Sequence, residues 1–417
     1  MKIDQELFFF ANAYAEQDFN DIQKQFEDAA NSNCYPLKQA TIQDTRINYL
    51  PLSVNKQQFA EVKDELVCVY RAVTKVIASF QQQNILQRKL NLTDEENAFF
   101  EHEDYLNISG VLRFDLLYSS NGFKIVEIDA DPDALFLHDM SFNTLQEYFP
   151  KNYPVAYPNH FDLYLQLMRE IGIKKGEQGL VLIDPNVQFR EEYEINKGIF
   201  DKNGYNVKVK PYDASLQLDK FDFVKRAYEF HRMREGGHYQ LMNTLREKKT
   251  VNPLAFRLIG YKNLFMYLHE ELDSGIFTDA EKIAIKKLIP KTAVYNDPEE
   301  KDFLVQHKDE IVIKPILGAE GEDVFVGILI SQQEWEKLLS EKIQPNGEWL
   351  YQDLVDTSQV MYCDQTYSEK RKRYFDFSPH LFVFGEKEIF GKNLVRYSDN
   401  KILNVAQGGT FGYGIEI

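Results

Sequence analysis

The chain has 417 residues, room for roughly two or three domains, and its 44% hydrophobic and 27% charged content is that of a globular protein with a sizeable core. A formal net charge of −17 argues against non-specific binding to nucleic acid or an anionic membrane, and no apolar run reaches membrane-spanning length. The three cysteines, Cys34, Cys68 and Cys363, have no CxxC spacing and cannot form a disulfide framework, so a reducing, cytoplasmic setting is expected.

The apolar Leu7–Ala15 stretch follows Asp4 and Glu6 rather than a basic segment, and reads as the buried face of a first helix, not a signal peptide. Residues 1–105 are expected to be mainly helical. Leu66, Val69, Tyr70, Val73, Val76, Ile77 and Phe80 recur at helical spacing, and Thr93-Asp94-Glu95-Glu96 has the form of a helix start. No chemistry is legible there; these helices are expected to pack as a layer on the remainder.

Residues 111–133 concentrate the charge. Strand-like runs Val111–Tyr118 and Phe123–Ile128 flank Ser119, Ser120, Asn121 and Gly122, predicting a β-hairpin. Arg113 and Asp115 share a face of the first strand, and Glu127 and Asp129 a face of the second. A three-residue loop, Ser120-Asn121-Gly122, sets Asp115 opposite Glu127 and Arg113 opposite Asp129, whereas a two-residue Asn-Gly turn separates the two acid sets. Three carboxylates on one face suit Mg²⁺, and magnesium held by few carboxylates implies a phosphate-bearing substrate. The alternative is a solvated face with cross-strand ion pairs.

Further along, a helix over residues 161–171, the apolar run Gly179–Asp184, a helix over 191–203 closed by Gly204 and a strand Tyr205–Val209 form a βαβ unit without GxGxxG. His231, Arg232, Arg234 and His238 read as surface residues, with a two-histidine metal site as the alternative. After Asn252-Pro253 a helix is expected with Leu258, Tyr261, Phe265, Leu268 and Leu272 on its core stripe and Lys262 beside it. Residues 310–327 read as a second hairpin: strand Ile311–Lys314, a glycine loop over 318–323 and strand Val324–Gly327. Lys314 ends a very apolar strand and needs an anionic partner, which ATP phosphates would supply. Glu348–Val355 is an apolar strand with a polar end, suited to passing an adenine. Leu381–Phe384 and Glu388–Phe390 form a further hairpin around Gly385, and Arg396 follows apolar residues as Lys314 does.

Together these residues resemble the ATP-grasp superfamily, and within it the circularly permuted branch that includes glutathionylspermidine synthase, over roughly residues 106–417. The branch's arginine and magnesium-ligand run is similar to Arg113-Phe114-Asp115-Leu116 with Glu127-Ile128-Asp129-Ala130-Asp131-Pro132, and here too it precedes the lysine segments. Its asparagine–lysine helix start is similar to Tyr261-Lys262-Asn263, its strand lysine and lid loop to Lys314-Pro315-Ile316-Leu317-Gly318-Ala319-Glu320-Gly321, its adenine hinge to Gln352-Asp353-Leu354, and its late phosphate-contacting arginine to Arg396. Asp129 stands where asparagine is usual and Ala319 where the lid arginine is usual, and no amidase-like domain is read ahead of the ligase part.

The resemblance implies an α/β (α+β), ATP-grasp-like fold: an N-terminal mainly helical region over 1–105, the metal hairpin over 106–170, a Rossmann-like βαβ pre-ATP-grasp unit over 171–255, and the lysine, lid and hinge part over 256–417. It also implies an ATP-dependent carboxylate–amine ligase acting through an acyl phosphate. Asp115, Glu127 and Asp129 would hold two Mg²⁺ ions. Lys262, Lys314, Gly318, Glu320, Gly321, Gln352, Asp353 and Leu354 would contact ATP, and Arg113 and Arg396 would act in catalysis. The expected partners are a small-molecule or peptide carboxylate and an amine. The alternatives are a nucleotide-binding protein that lost ligation, or a phosphotransferase.

Overall fold

The computed structural model describes residues 8–9, 51–132, 135–146, 157–186, 191–318, 321–363, 370–403 and 409–416. Strands β1 (Phe8–Phe9) and β2 (Leu52–Val54) precede a long helix α1 (Lys56–Gln82). The hairpin follows as β3 (Gly110–Ser119) and β4 (Gly122–Asp129), then α2 (Leu135–Gln146), and the chain later returns as β14 (Lys370–Phe384), β15 (Lys387–Ser398) and β16 (Thr410–Glu416). These strands form one sheet in the order β1-β2-β16-β15-β14-β3-β4, with β13 (Gln359–Cys363) also paired to β14.

Among the described residues two smaller sheets complete the architecture. One is parallel, ordered β6-β5-β7-β8, from β5 (Gln178–Ile183), β6 (Asn206–Pro211), β7 (Phe223–Ala227) and β8 (Lys249–Val251). It contains the expected βαβ unit, its helix running over Glu191–Lys202. The other is antiparallel, β11-β10-β12-β9, from β9 (Thr292–Val294), β10 (Ile311–Pro315), β11 (Phe325–Val326) and β12 (Trp349–Asp353), and includes the expected β10–β11 hairpin. No helix of the described residues is long and apolar enough to cross a membrane.

The expected stripe of α1 is buried at every position named, from Leu66 to Phe80, because an apolar residue every three or four positions lines one side of a helix. Asn55 caps the helix, its side-chain oxygen accepting from the Gln57 and Gln58 amides at 3.0 and 3.1 Å. Phe59 packs edge-on against Phe377 and Phe123 of the large sheet, with centroids 4.9 and 5.7 Å apart, so α1 covers one face of that sheet and leaves the other for chemistry. Thr93 and Glu96 close a capping box at the start of the next helix but one, as their spacing predicts.

Three expectations change. Phe8 and Phe9 lie in a strand rather than a first helix: they pair antiparallel with Ser53 and Val54, extending the sheet edge through β2, which runs parallel to β16. The helix expected after Asn252-Pro253 is two pieces, a 3₁₀ turn over Leu254–Gly260 and a helix over Leu264–Glu270, broken at Tyr261-Lys262-Asn263. The break sits where the chain presses on β4; a Cβ on Gly260 would lie 2.8 Å from the Ile128 carbonyl oxygen. His231 is buried rather than on the surface, and the histidines share no metal site: His231 Nδ1 is 3.0 Å from Glu229, and His238 Nδ1 is 2.7 Å from the Tyr228 hydroxyl.

Candidate functional site

β3 and β4 pair with Arg113 opposite Asp129 and Asp115 opposite Glu127, as expected, but by another route. The turn is tight, with Ser119 opposite Gly122, and the additional residue comes from a β-bulge at Val126, between the Leu116–Ile125 and Asp115–Glu127 pairs. The bulge reverses the alternation of β4. Phe123 and Ile125 are buried on the α1 side, while Glu127 and Asp129 share the opposite face with Arg113 and Asp115. Two consecutive apolar residues, Ile125-Val126, carry that signal in the sequence.

β14 lies beside β3, with Asp376 opposite Leu117 and His380 opposite Arg113; β15 lies beside β14, with Arg396 opposite Asp376. Arg113, Asp115, Asp376, His380 and Arg396 therefore share one face. Asp115 is held from both sides: Arg113 Nε donates to Oδ1 at 2.7 Å, and Arg113 Nη2 and Arg396 Nη2 lie 3.2 and 2.7 Å from Oδ2. Arg396 Nε also donates to Asp376 Oδ2 at 2.6 Å, and Arg113 Nη2 is 3.2 Å from Asp129 Oδ2. Burial works to raise the Asp115 pKa, but the two guanidinium groups outweigh it and hold the carboxyl well below the usual carboxylate range. For Asp129 and Asp376 burial prevails, and both are raised against the pull of neighbouring arginines.

The lysines arrive from the other side of the cleft. Lys262, in the break before the helix over Leu264–Glu270, lies 3.0 Å from Glu127 Oε1 and donates to the Gly318 carbonyl oxygen at 2.9 Å. Lys314, at the end of β10, donates to the Val126 carbonyl oxygen at 2.8 Å and to Gln352 Oε1 at 3.0 Å. The bulge thus supplies the oxygen that Lys314 reaches. Gln352 in turn donates from Nε2 to Thr292 at 3.0 Å, so its side chain serves to orient Lys314. Burial lowers the Lys314 pKa to about 8, with Glu127 opposing, while burial raises the Glu127 carboxyl and Lys262 and Lys314 together pull it down below its ordinary value.

Thus Arg113, Asp115, Glu127, Asp129, Lys262, Lys314 and Arg396, drawn from separate stretches of sequence, meet at one cleft between the large sheet and the β9–β12 sheet. Gly318 borders it through its carbonyl oxygen. Gly321, at φ +70°, lies in the turn before β11, and Glu320 and Ala319 lie outside the described residues. Asp353 ends β12 and Leu354 follows it, their amides donating to the Lys291 and Glu310 carbonyl oxygens at 2.9 and 2.7 Å.

Among the described residues no three histidine, cysteine, aspartate or glutamate side chains are gathered as a metal ion would need them in this arrangement. Arg113 and Arg396 engage both oxygens of Asp115. Asp129 Oδ1 accepts from the Asp131 amide at 3.0 Å, and its Oδ2 faces Arg113. Glu127, with its side chain 32% exposed, is the acid turned towards the lysines and open to the cleft.

Four groups at or beside this cleft escaped the sequence reading. Asp376 and His380 escaped because their strand reads as apolar. Arg257, buried in the 3₁₀ turn, pulls on the Asp129 carboxyl. Asn252 accepts from the Val111 amide at 2.8 Å and donates to the Val111 and Ala130 carbonyl oxygens, both at 2.7 Å, tying the end of the parallel sheet to the hairpin. Beside this tie lies a small recess of about 30 Å³, bordered by Asn196, Lys225, Arg226, Asp131 and Tyr164. Arg226 is buried and donates to Asp131 at 2.7 Å, and neither its Nε nor Asn196 Oδ1 has a hydrogen-bond partner among the described residues.

Comparison of structures places this arrangement in a known fold. The chain resembles a glutathione synthetase-like effector. That protein, GSS30 from Globodera pallida in apo form, aligns over 97% of this chain and 98% of its own length at a TM-score of 0.58, with 11% identity. A gamma-glutamylcysteine synthetase described as putative, from Methylobacillus flagellatus, aligns over 81% and 85% at 0.42 with 8% identity, and D-cycloserine synthetase DcsG over 52% and 90% at 0.31 with 10% identity. No protein-family model matches the sequence, and no curated protein matches it. The likeness at a TM-score of 0.58 shows that the chain shares the α+β fold of the glutathione synthetase-like effector.

Proposed function

We propose that the chain is an ATP-dependent ligase that joins a carboxylate to an amine through an acyl phosphate, the activity implied by its resemblance to the permuted, glutathionylspermidine synthase-like branch. The observation that carries this reading is the meeting of two buried lysines and two paired arginines at one cleft. Lys314, Lys262 and the Val126 carbonyl span the gap that a triphosphate would occupy. Bound phosphates would take over both ammonium groups and favour the charged form that burial now disfavours in Lys314. The adenine would lie against the end of β12 at Asp353 and Leu354.

The donor set fits magnesium held by Glu127 together with phosphate oxygens, the arrangement common for this ion, rather than a three-carboxylate centre. Such an ion would neutralise phosphate charge. Asp115 and Asp376 instead hold Arg113 and Arg396 side by side, aimed at the transferring phosphoryl group. A substrate carboxylate oxygen bonds to the γ-phosphorus as the bridging bond to ADP breaks, and the two guanidinium groups stabilise the charge that develops on the phosphoryl oxygens. The amine nitrogen then bonds to the acyl carbon, the carbon–oxygen bond to phosphate breaks, and the nitrogen loses a proton.

Hydroxylamine intercepts acyl phosphates as hydroxamates. Incubating the chain with ATP, Mg²⁺, hydroxylamine and pools of amino acids and short peptides should give ADP and a hydroxamate with at least one acid. ATP binding without acid-dependent ADP in any pool would favour the second reading, a nucleotide-binding protein without ligation. The capture of Asp115 by arginine and the alanine at position 319 support that reading.

A further inference from the structure

β14 carries Asp376, Ser378 and His380 at alternate positions on the face that bears Arg113 and Arg396. Asp376 is spent on Arg396; the other two have no such use. His380 Nδ1 lies 3.1 Å from the Lys392 carbonyl oxygen, which fixes the proton on Nδ1 and makes Nε2 an acceptor. That Nε2 is buried without a hydrogen-bond partner among the described residues, and so is Ser378 Oγ. The neighbouring His138, on α2, likewise has an unpartnered Nδ1. α2 is held to this sheet by the buried pair of Asp139 and Lys392, and by His138 packing edge-on to Phe411, directly opposite Arg396, with centroids 5.4 Å apart.

Each buried polar atom without a partner destabilises the free protein, since its water contacts are lost and nothing replaces them. Here three gather on one patch beside the two arginines. Arg113 makes no hydrogen bond to His380 Nε2; its Nε and Nη2 are turned to Asp115 and Asp129. Burial, then the Arg113 charge, pushes the His380 pKa down to about 4, so the imidazole is neutral at physiological pH. At His380 the Arg113 charge acts against a cation more strongly than Asp115 favours one, and an anion would meet a lone pair at Nε2. A neutral N–H donor suits both, and the uncharged amine is the form able to attack an acyl phosphate.

We propose that Ser378 and His380, with His138 beside them, are the seat of the amine substrate and receive the N–H groups of an uncharged primary amine at Oγ and Nε2 next to the acyl group held by the arginines. This rests on the ligase reading.

The test uses hydroxylamine, uncharged at neutral pH, as the amine, with an acid found by the hydroxamate screen. Ser378→Ala removes an unpartnered hydroxyl and should leave the unfolding temperature equal or higher. His380→Asn keeps a donor for the Lys392 carbonyl and deletes Nε2, whereas His380→Gln returns an acceptor near Nε2. The expected result is a KM for hydroxylamine raised roughly tenfold in Ser378→Ala and His380→Asn, with partial recovery in His380→Gln and unchanged ADP formation from ATP and acid in single turnover. Wild-type KM for hydroxylamine in Ser378→Ala, which decides alone if His380→Asn does not fold, overturns the seat while leaving ligation intact. Absence of hydroxamate from the wild type with every acid overturns the ligase reading, and the seat with it.

Discussion

Replacing Lys314 by methionine tests the electrostatics of the cleft directly. The Lys314 side chain is buried, and its pKa lies at about 8 instead of the ordinary 10.5. Below pH 8 the ammonium is charged in both folded and unfolded chains, so the folded protein bears the full cost of burying it. Between pH 8 and 10.5 the unfolded chain keeps a proton that the folded chain has released, and the free energy of unfolding rises with pH. At about 1.4 kcal/mol per pH unit the total is about 3 kcal/mol. Urea unfolding of the wild type and Lys314→Met at steps from pH 7 to pH 10.5 isolates this lysine from other titrating groups. The wild-type value minus that of the variant should climb by about 3 kcal/mol over that range. A difference that stays flat would refute the burial cost, and with it the argument that the site is built for an anion.

Asp115→Asn should destabilise the protein by about 3–5 kcal/mol in urea unfolding, because it leaves two buried guanidinium groups short of a counter-charge; a loss under about 1 kcal/mol would show that the Arg113–Asp115–Arg396 arrangement is not a buried ion-pair network. Asn252→Ala removes three buried hydrogen bonds between the parallel sheet and the hairpin, and should cost on the order of 3 kcal/mol while speeding hydrogen exchange at the Val111 amide. Gly260→Ala places a methyl group against the Ile128 carbonyl and should shift Lys262 away from Glu127, read as a rise in the Glu127 pKa by carboxyl-labelled NMR.

Much of this was legible in local pattern. Strand alternation and turn residues placed the hairpins, helical spacing placed α1, and the resemblance to the ATP-grasp superfamily singled out Lys262 and Arg396. What escaped depends on distant contacts. The hairpin register was anticipated through a three-residue loop, but the structure reaches it through a bulge at Val126, and only its partner Lys314, 188 residues away, shows why that carbonyl is turned outward. The break at Tyr261-Lys262-Asn263 follows from Gly260 pressing on β4, which helical periodicity cannot show. The pairing of Asp115 with Arg396 was not legible, because Arg396 and Asp376 lie far off in sequence and meet it only through β14 and β15. Asp376, Ser378 and His380 sit in a strand rich in aromatics, and become polar neighbours of the cleft only when β14 pairs with β3.

The most direct measurement of the central claim is thermal unfolding of the wild type and of a Lys262→Met, Lys314→Met double variant with ATP, with and without Mg²⁺. A ligand that binds only the folded state at about a hundred times its Kd adds about 2.7 kcal/mol of stability. The account predicts stabilisation of the wild type by ATP, strengthened by Mg²⁺, and none in the double variant. No shift in the wild type under either condition, or an equal shift in both proteins, would contradict it.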